Sequence, residues 1–169
     1  MSFSFTPTED VRVAKVPYFE EARADLAPYY DNFKHWTVKK AQQAVQDEIV
    51  KLEGTVTGFI AGVFEDPRPR YGYRIEFVFK GAPGRINLAG LPLRHTATQR
   101  KIDGVRVQAL LNVRDWLKTQ VTSMIFSPGN NPLIPHLLGP GNRTMAEFIA
   151  DRASLDIPLL LGEIVEEGQ

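Results

Sequence analysis

The sequence predicts an α+β domain in which a three-stranded antiparallel sheet is backed by an N-terminal helix and one long helix, in the order α-β-β-β-α. Two stretches with an apolar residue at every third or fourth position predict the helices. Three stretches rich in β-branched and aromatic residues lie between them and predict the strands. At 169 residues and 43% hydrophobic side chains, the chain can bury the core of one such domain.

We divide the chain into an aromatic N-terminal arm at 1–36, a core domain at 37–153 and an acidic tail at 154–169. Prolines interrupt the arm, so it has room only for a short strand at 11–16 and a short helix at 20–26. The arm either wraps around its own core or docks on another protein. The residues that would bind such a partner are Phe3, Phe5, Tyr18, Phe19, Tyr29, Tyr30 and Trp36.

The first helix is predicted at 38–53, with Thr37 as its N-cap and Gly54 as its end. The first strand is predicted at 55–65, because Gly54, Gly58 and Gly62 would each weaken a helix by about 1 kcal/mol relative to alanine. Gly58 and Gly62 also indicate a bulge or a close backbone approach in this strand.

The second and third strands are predicted to form a hairpin. Residues 71–79 alternate between apolar and polar side chains, which is typical of a strand with one buried and one wet face. A turn at 81–84, rich in glycine, returns the chain as a strand at 85–89.

The long helix is predicted to begin near Thr98 and to run to Phe126, with Gly104 as the position of a kink or of the true start. Its apolar stripe would pack against the sheet. Residues 127–142 are rich in proline, glycine and asparagine and predict irregular structure. A last, short helix is expected at 144–153, because Thr144 and Glu147 have the spacing of a capping box.

Several classes of function are excluded or disfavoured by composition. The absence of cysteine excludes disulfides, thiolate catalysis and cysteine-ligated metal centres. The three histidines lie far apart and belong to no catalytic or metal-binding motif, so we expect a protein without catalytic activity, cofactor or metal. Neither a signal peptide nor a membrane-spanning stretch is indicated, so we expect a cytoplasmic protein with no membrane partner.

Charge is strongly segregated along the chain. Residues 67–106 carry nine basic and two acidic side chains, whereas both flanking regions are acidic and the whole chain is neutral. Such a basic segment favours phosphate binding, and tyrosines beside it can stack on unpaired bases. We therefore predict a DNA-binding accessory protein without sequence preference. Its interface is expected on the hairpin and the start of the long helix, at Arg68, Arg70, Tyr71, Tyr73, Arg74, Lys80, Arg85, Arg94, Arg100 and Lys101.

Three alternatives stay open beside DNA binding. The basic segment can simply be a solvated surface, or it can pair with the acidic ends of another copy and drive oligomerisation. The protein can also be an interaction module, a subunit or inhibitor that docks on a larger complex through its arm.

Residues 38–151 resemble an uncharacterised group of small bacteriophage and prophage proteins. The similarity rests on the order of five segments. These are 58–62 (GFIAG), the hairpin 75–92, the threonine-rich loop 96–98, the helical segment 114–129 and residues 137–147 (LLGPGNRTMAE). The resemblance implies a mobile-element context and supplies no catalytic residues.

The element order is also similar to that of double-stranded-RNA-binding domains. This similarity is an analogy at the level of the fold. The lysine cluster that those domains place at the start of their second helix is represented here by Arg100 and Lys101.

Overall fold

The computed structural model describes residues 17–21, 33–65 and 69–153. It confirms the predicted α+β class, with a three-stranded antiparallel sheet and helices before and after it. The helices are α1 (Val38–Lys51), α2 (Gln99–Phe126) and α3 (Met145–Ala153), and the strands are β1 (Gly54–Glu65), β2 (Pro69–Phe79) and β3 (Ala82–Ala89). Short 3-10 turns occur at Phe19–Glu21, Phe33–His35, Ile134–His136 and Pro140–Asn142. Most of the arm and the whole acidic tail lie outside the described residues.

Helix α1 begins where it was predicted and ends two residues earlier. The Thr37 hydroxyl accepts the backbone N–H of Lys40, which caps the helix. At the other end Glu53 adopts a left-handed conformation with φ 67°. Gly54 follows in a tight space, since a Cβ there would come within 2.8 Å of the Ile49 and Leu133 side chains. The chain therefore turns directly from α1 into β1.

The sheet has the order β1-β2-β3, with both pairs antiparallel. The register shifts between Val56 and Gly58, which confirms the bulge that Gly58 indicated. The prediction for the β2–β3 turn was wrong, because the turn is Lys80-Gly81 and not 81–84. Both residues have positive φ, as a two-residue hairpin requires, so β3 already begins at Ala82.

Helix α2 is continuous through Gly104 and is about 42 Å long at 1.5 Å per residue for its 28 residues. Thr98 caps it by accepting the backbone N–H of Lys101. Both α1 and α2 pack on one face of the sheet, the face formed by alternate residues of β2. The core residues come from α1 (Ala41, Val45, Ile49), β2 (Tyr73, Ile75, Phe77, Phe79) and α2 (Val107, Leu110, Leu111, Val113, Leu117), among others.

Residues 127–144 cover the β3 edge of the sheet. Leu137 bridges Gly84, and the Leu138 N–H donates to the carbonyl of Pro83 at 2.9 Å. Helix α3 follows with the predicted capping box, in which the Thr144 hydroxyl and the Glu147 carboxylate each accept the other residue's N–H. No helix among the described residues is long and apolar enough to cross a membrane.

Candidate nucleic-acid interface

The hairpin separates the predicted arginines from the predicted tyrosines. Arg74 pairs across the sheet with Asn87, and Arg85 with Glu76, on the face turned away from α1 and α2. Tyr71 and Tyr73 belong to the opposite face, which packs against α2. Because side chains alternate along a strand, cations and rings that are adjacent in sequence lie on opposite sides of the sheet.

Both tyrosine rings lie against an arginine of α2. Arg106 places its guanidinium 5.5 Å from the centre of the Tyr73 ring and 5.9 Å from that of Tyr71. Tyr73 is only 5% exposed, and burial raises the pKa of its phenol. The stacking role predicted for Tyr73 therefore lacks an accessible ring surface.

Arg85 is paired with a carboxylate of its own chain. Its Nε lies 2.7 Å from Oε1 of Glu147 and its Nη2 lies 2.9 Å from Oε2, so the pair is bidentate. Asn87 Nδ2 donates to the same carboxylate at 2.8 Å. The hydrogen bonds from Arg85 lower the pKa of Glu147 to about 2. Arg85 is therefore occupied in joining β3 to α3.

Other cations of the basic segment also have partners within the chain. Arg70 donates to the main-chain carbonyls of Gly90 and Ala89, at 2.7 and 3.3 Å. Arg74 donates to the Asn87 side chain at 3.1 Å. Lys80, in the hairpin turn, lies over the Phe79 ring at 5.4 Å. Arg68 lies outside the described residues.

The 3-10 turn at Phe19–Glu21 supplies acids to the start of α2. Arg94 forms an ion pair with Glu21 and lies 5.1 Å from the centre of the Tyr18 ring. Glu20 accepts the backbone N–H of Arg94 at 3.0 Å and lies 3.5 Å from Lys101 Nζ. Burial acts to raise the pKa of Glu20, but these donors outweigh it and the pKa is lowered. Only part of the predicted positive charge is therefore available to a ligand.

A second group of cations surrounds a cleft between the N-terminal ends of α1 and α2. We call it the helix-end cleft. Its volume is about 1010 Å³, and four basic side chains and one carboxylate line it. They are Lys34, Lys39, Arg100, Lys101 and Asp103. Lys34, Lys39 and Arg100 are exposed. The hairpin prediction included only Arg100 and Lys101 of these cations.

The first turns of both helices line this cleft. The first N–H groups of a helix have no acceptor within it, and Thr37 and Thr98 each satisfy one of them. The aligned peptide dipoles add a partial positive charge at each of these ends. The cleft therefore combines three exposed cationic side chains, and Lys101 paired with Glu20, with two positive helix ends.

The wall of the cleft is apolar and partly aromatic, and it includes Phe19, Trp36, Val38 and Val107. Phe19 is 8% exposed, and its backbone N–H donates to the Pro92 carbonyl at 2.8 Å. Trp36 packs against the core, with the Arg114 guanidinium 5.3 Å from its ring centre. These arm residues therefore contact their own domain. Phe3, Phe5, Tyr29 and Tyr30 lie outside the described residues.

Sequence reasoning missed Lys34 and Lys39 because they are about sixty positions from Arg100 in the chain. One signal in the sequence could have revealed these lysines. Thr37 and Thr98 are both N-caps, so two helices that pack side by side in the same direction have both of their starts at one end.

Within the described part of the chain, no three His, Asp or Glu side chains form a group that could hold a metal ion. His136 is partly buried in contact with Trp116, and burial lowers its pKa. No protein-family model, curated protein or solved structure matches this chain significantly.

Proposed function

We propose that the protein binds nucleic acid without sequence preference and that the helix-end cleft holds the phosphate backbone. The observation that supports this most directly is the set of four cations with one carboxylate around a cleft where two helices begin. Phosphate oxygens accept hydrogen bonds from lysine, arginine and helix N-terminal N–H groups, which are the donors present here.

The proposal moves the centre of the interface from the hairpin to the cleft. Arg85 and Arg94 pair with carboxylates of their own chain, whereas Lys34, Lys39 and Arg100 are exposed at the cleft. Arg100 and Lys101 belong to both interfaces. The analogy with double-stranded-RNA-binding domains supports the same helix start, because those domains carry basic residues there.

The shape of the cleft favours a single strand over a duplex. A rigid duplex would lie across the rim and leave the apolar wall in contact with water. An unpaired nucleotide can enter, place its base near the partly exposed Trp36 and Val38, and keep its phosphate among the rim cations. The cleft volume of about 1010 Å³ is at the upper end of the range for small-molecule pockets, so one nucleotide fits.

The direct test compares two double variants that each remove two positive charges. In Lys39→Gln/Arg100→Gln both changes are at the cleft, and in Lys40→Gln/Lys118→Gln both are at exposed positions of the same helices away from it. Each lost phosphate contact lowers the log–log salt slope of single-strand binding by about 0.7. The cleft variant should therefore lose about 1.4 in slope and roughly 25-fold in affinity at 0.1 M salt.

The measurement is fluorescence anisotropy of a labelled single-stranded oligonucleotide at several salt concentrations. The salt slope of the control variant should differ from that of the unmodified protein by less than about 0.35, which is half the contribution of one phosphate contact. If both variants weaken binding equally, the cleft is not the interface. If the unmodified protein binds neither single-stranded nor duplex DNA or RNA at low salt, the proposed function is wrong.

A second comparison tests entry of the base. A single strand in which abasic sites replace the bases keeps its phosphates but has nothing to place against the apolar wall. We expect it to bind more weakly than the intact strand, with an unchanged salt slope. Equal affinities would show that only the backbone is bound.

The interaction-module alternative gains no observation from the structure, since Tyr18, Phe19 and Trp36 contact their own domain. Docking through the rest of the arm stays a prediction. The mobile-element context, the cytoplasmic location and the absence of catalysis also stay predictions.

A further inference from the structure

Strand β1 forms one edge of the sheet and, apart from a bulge near its start, has none of the features that usually protect an edge. It is 12 residues long, and from Gly54 to Phe64 it contains no charged residue and no proline. Its only irregularity is the bulge near its start. Ile60 and Val63 are 50% and 48% exposed. Long, apolar, uncharged edges are sites where another strand adds.

The opposite edge is protected. Strand β3 carries Pro83, which cannot donate to a neighbouring strand, and the chain segment after α2 covers it through Leu137 and Leu138. By contrast, no described residue pairs with the free edge of β1. Within the described part of the chain, β1 is therefore the longer and the less protected of the two sheet edges.

We propose that β1 pairs antiparallel with β1 of a second copy, so that two three-stranded sheets form one six-stranded sheet. A two-fold axis near Ile60 lies at the middle of the strand and places Ile60 opposite its own copy. The two exposed isoleucine side chains then cover each other on the sheet face opposite the helices. This dimer is independent of the proposed nucleic-acid binding.

The charge pattern favours a second copy as the occupant. With the axis at Ile60, the single charged residue of each strand, Glu65, lies opposite Thr55 of the other, so no like charges face each other. The pairing also stops at two copies, because both β1 edges are used in the dimer. Each copy uses the β1 edge, and the dimer ends in two β3 edges, each of which is covered at Pro83 and Gly84.

The size of the contact predicts a weak dimer. Pairing of about ten residues extends over about 34 Å, at 3.4 Å per residue, but is only one strand deep. Such a contact falls at the low end of specific interfaces, below about 1,200 Å² in total. The dimer should therefore form and dissociate in a concentration-dependent way in the micromolar range or above.

The first test uses matched lysine substitutions at two exposed apolar residues. Ile60→Lys would oppose two positive charges across the two-fold axis, whereas Val50→Lys makes the same change on α1 at a residue that is 57% exposed. Sedimentation velocity of the full chain from about 1 µM to about 1 mM covers the expected range of Kd. The unmodified protein and Val50→Lys should shift from monomer to dimer, and Ile60→Lys should stay monomeric.

The second test exploits the absence of cysteine from the chain. Single cysteines at Ile60, at Gly62 and at Thr122 on α2 are each treated with diamide, which takes up the two electrons and two protons released as the disulfide forms. Cross-linking should be strong for Ile60→Cys and absent for Gly62→Cys and Thr122→Cys, because with the axis at Ile60 the two Gly62 positions are about 14 Å apart along the strands, too far for a disulfide. No Cβ contact within 4 Å opposes a side chain at Gly62.

Three results would overturn the proposal. They are a protein that stays monomeric over the whole concentration range, an Ile60→Lys variant that associates as Val50→Lys does, and cross-linking that is equal at Ile60 and Thr122. A monomer without any Ile60 cross-link would indicate that the edge is free or that another part of the same chain covers it.

Discussion

Replacing Glu147 by glutamine removes the charge from the contact that joins α3 to β3. Its carboxylate accepts hydrogen bonds from Arg85, Asn87 and the backbone N–H of Thr144, at distances of 2.7 to 3.1 Å. The side chains of Arg85 and Glu147 are only 14% and 22% exposed. The substitution leaves a largely buried guanidinium without its counter-charge, so it should destabilise the fold.

The pKa of Glu147 sets the expected size of the effect. A drop from the ordinary value of 4.5 to about 2 corresponds to an upper bound of about 3 kcal/mol. Solvent near the surface screens part of this, so we expect a loss of about 2 kcal/mol at pH 7. Because the folded pKa is depressed, this stabilisation is complete above about pH 4.5 and disappears as the pH falls through about 2.

The assay is urea unfolding of the unmodified protein and of Glu147→Gln, followed by circular dichroism from pH 7 to pH 3. The difference in free energy of unfolding should be constant above about pH 5 and fall by more than half between pH 5 and pH 3. Glu21→Gln is the matched control, since it removes a glutamate that pairs with Arg94 at an exposed site. Exposed pairs contribute little, so this control should lose at most about 0.5 kcal/mol.

Two results would refute this reasoning. Equal losses for Glu147→Gln and Glu21→Gln would mean that burial does not strengthen the Arg85–Glu147 pair. A difference that stays constant down to pH 3 would mean that the carboxylate's charge is not its source.

Two further predictions concern packing and burial. Gly84→Ala should lower the free energy of unfolding by about 1 to 3 kcal/mol, because its Cβ would lie 2.5 Å from the Phe77 ring and 2.8 Å from the His136 carbonyl oxygen. Gly62→Ala has no atom within 4 Å of its Cβ, so it should leave the free energy of unfolding unchanged or raise it by up to about 1 kcal/mol. Asn131→Ala should cost about 2 to 3 kcal/mol, because it leaves the buried Leu52 carbonyl and Leu133 N–H without partners. Urea unfolding measures all three, and a Gly84→Ala variant as stable as Gly62→Ala, or an Asn131→Ala loss below about 0.5 kcal/mol, would contradict them.

Local patterns were sufficient to predict the elements of the fold. Thr37 and Thr98 cap their helices as predicted, and the Thr144–Glu147 capping box forms. These features depend on residues three or four positions apart, which interact directly within one helical turn. The β2–β3 turn was predicted to start one residue and to end three residues too late, because glycine content was weighed above the positive φ that Lys80 can adopt next to Gly81.

The sequence by itself determined the α-β-β-β-α order, the helix caps and the concentration of positive charge in residues 67–106. Only the tertiary structure decided which of those charges are available. The partner of Arg85 lies 62 positions away and that of Lys101 lies 81 positions away. Two of the cations that join Arg100 at the cleft, Lys34 and Lys39, come from the 3-10 turn before α1 and from α1 itself. Charge can be counted along a chain, but a Coulomb interaction depends on distance in space, and the packing of α1 beside α2 sets that distance.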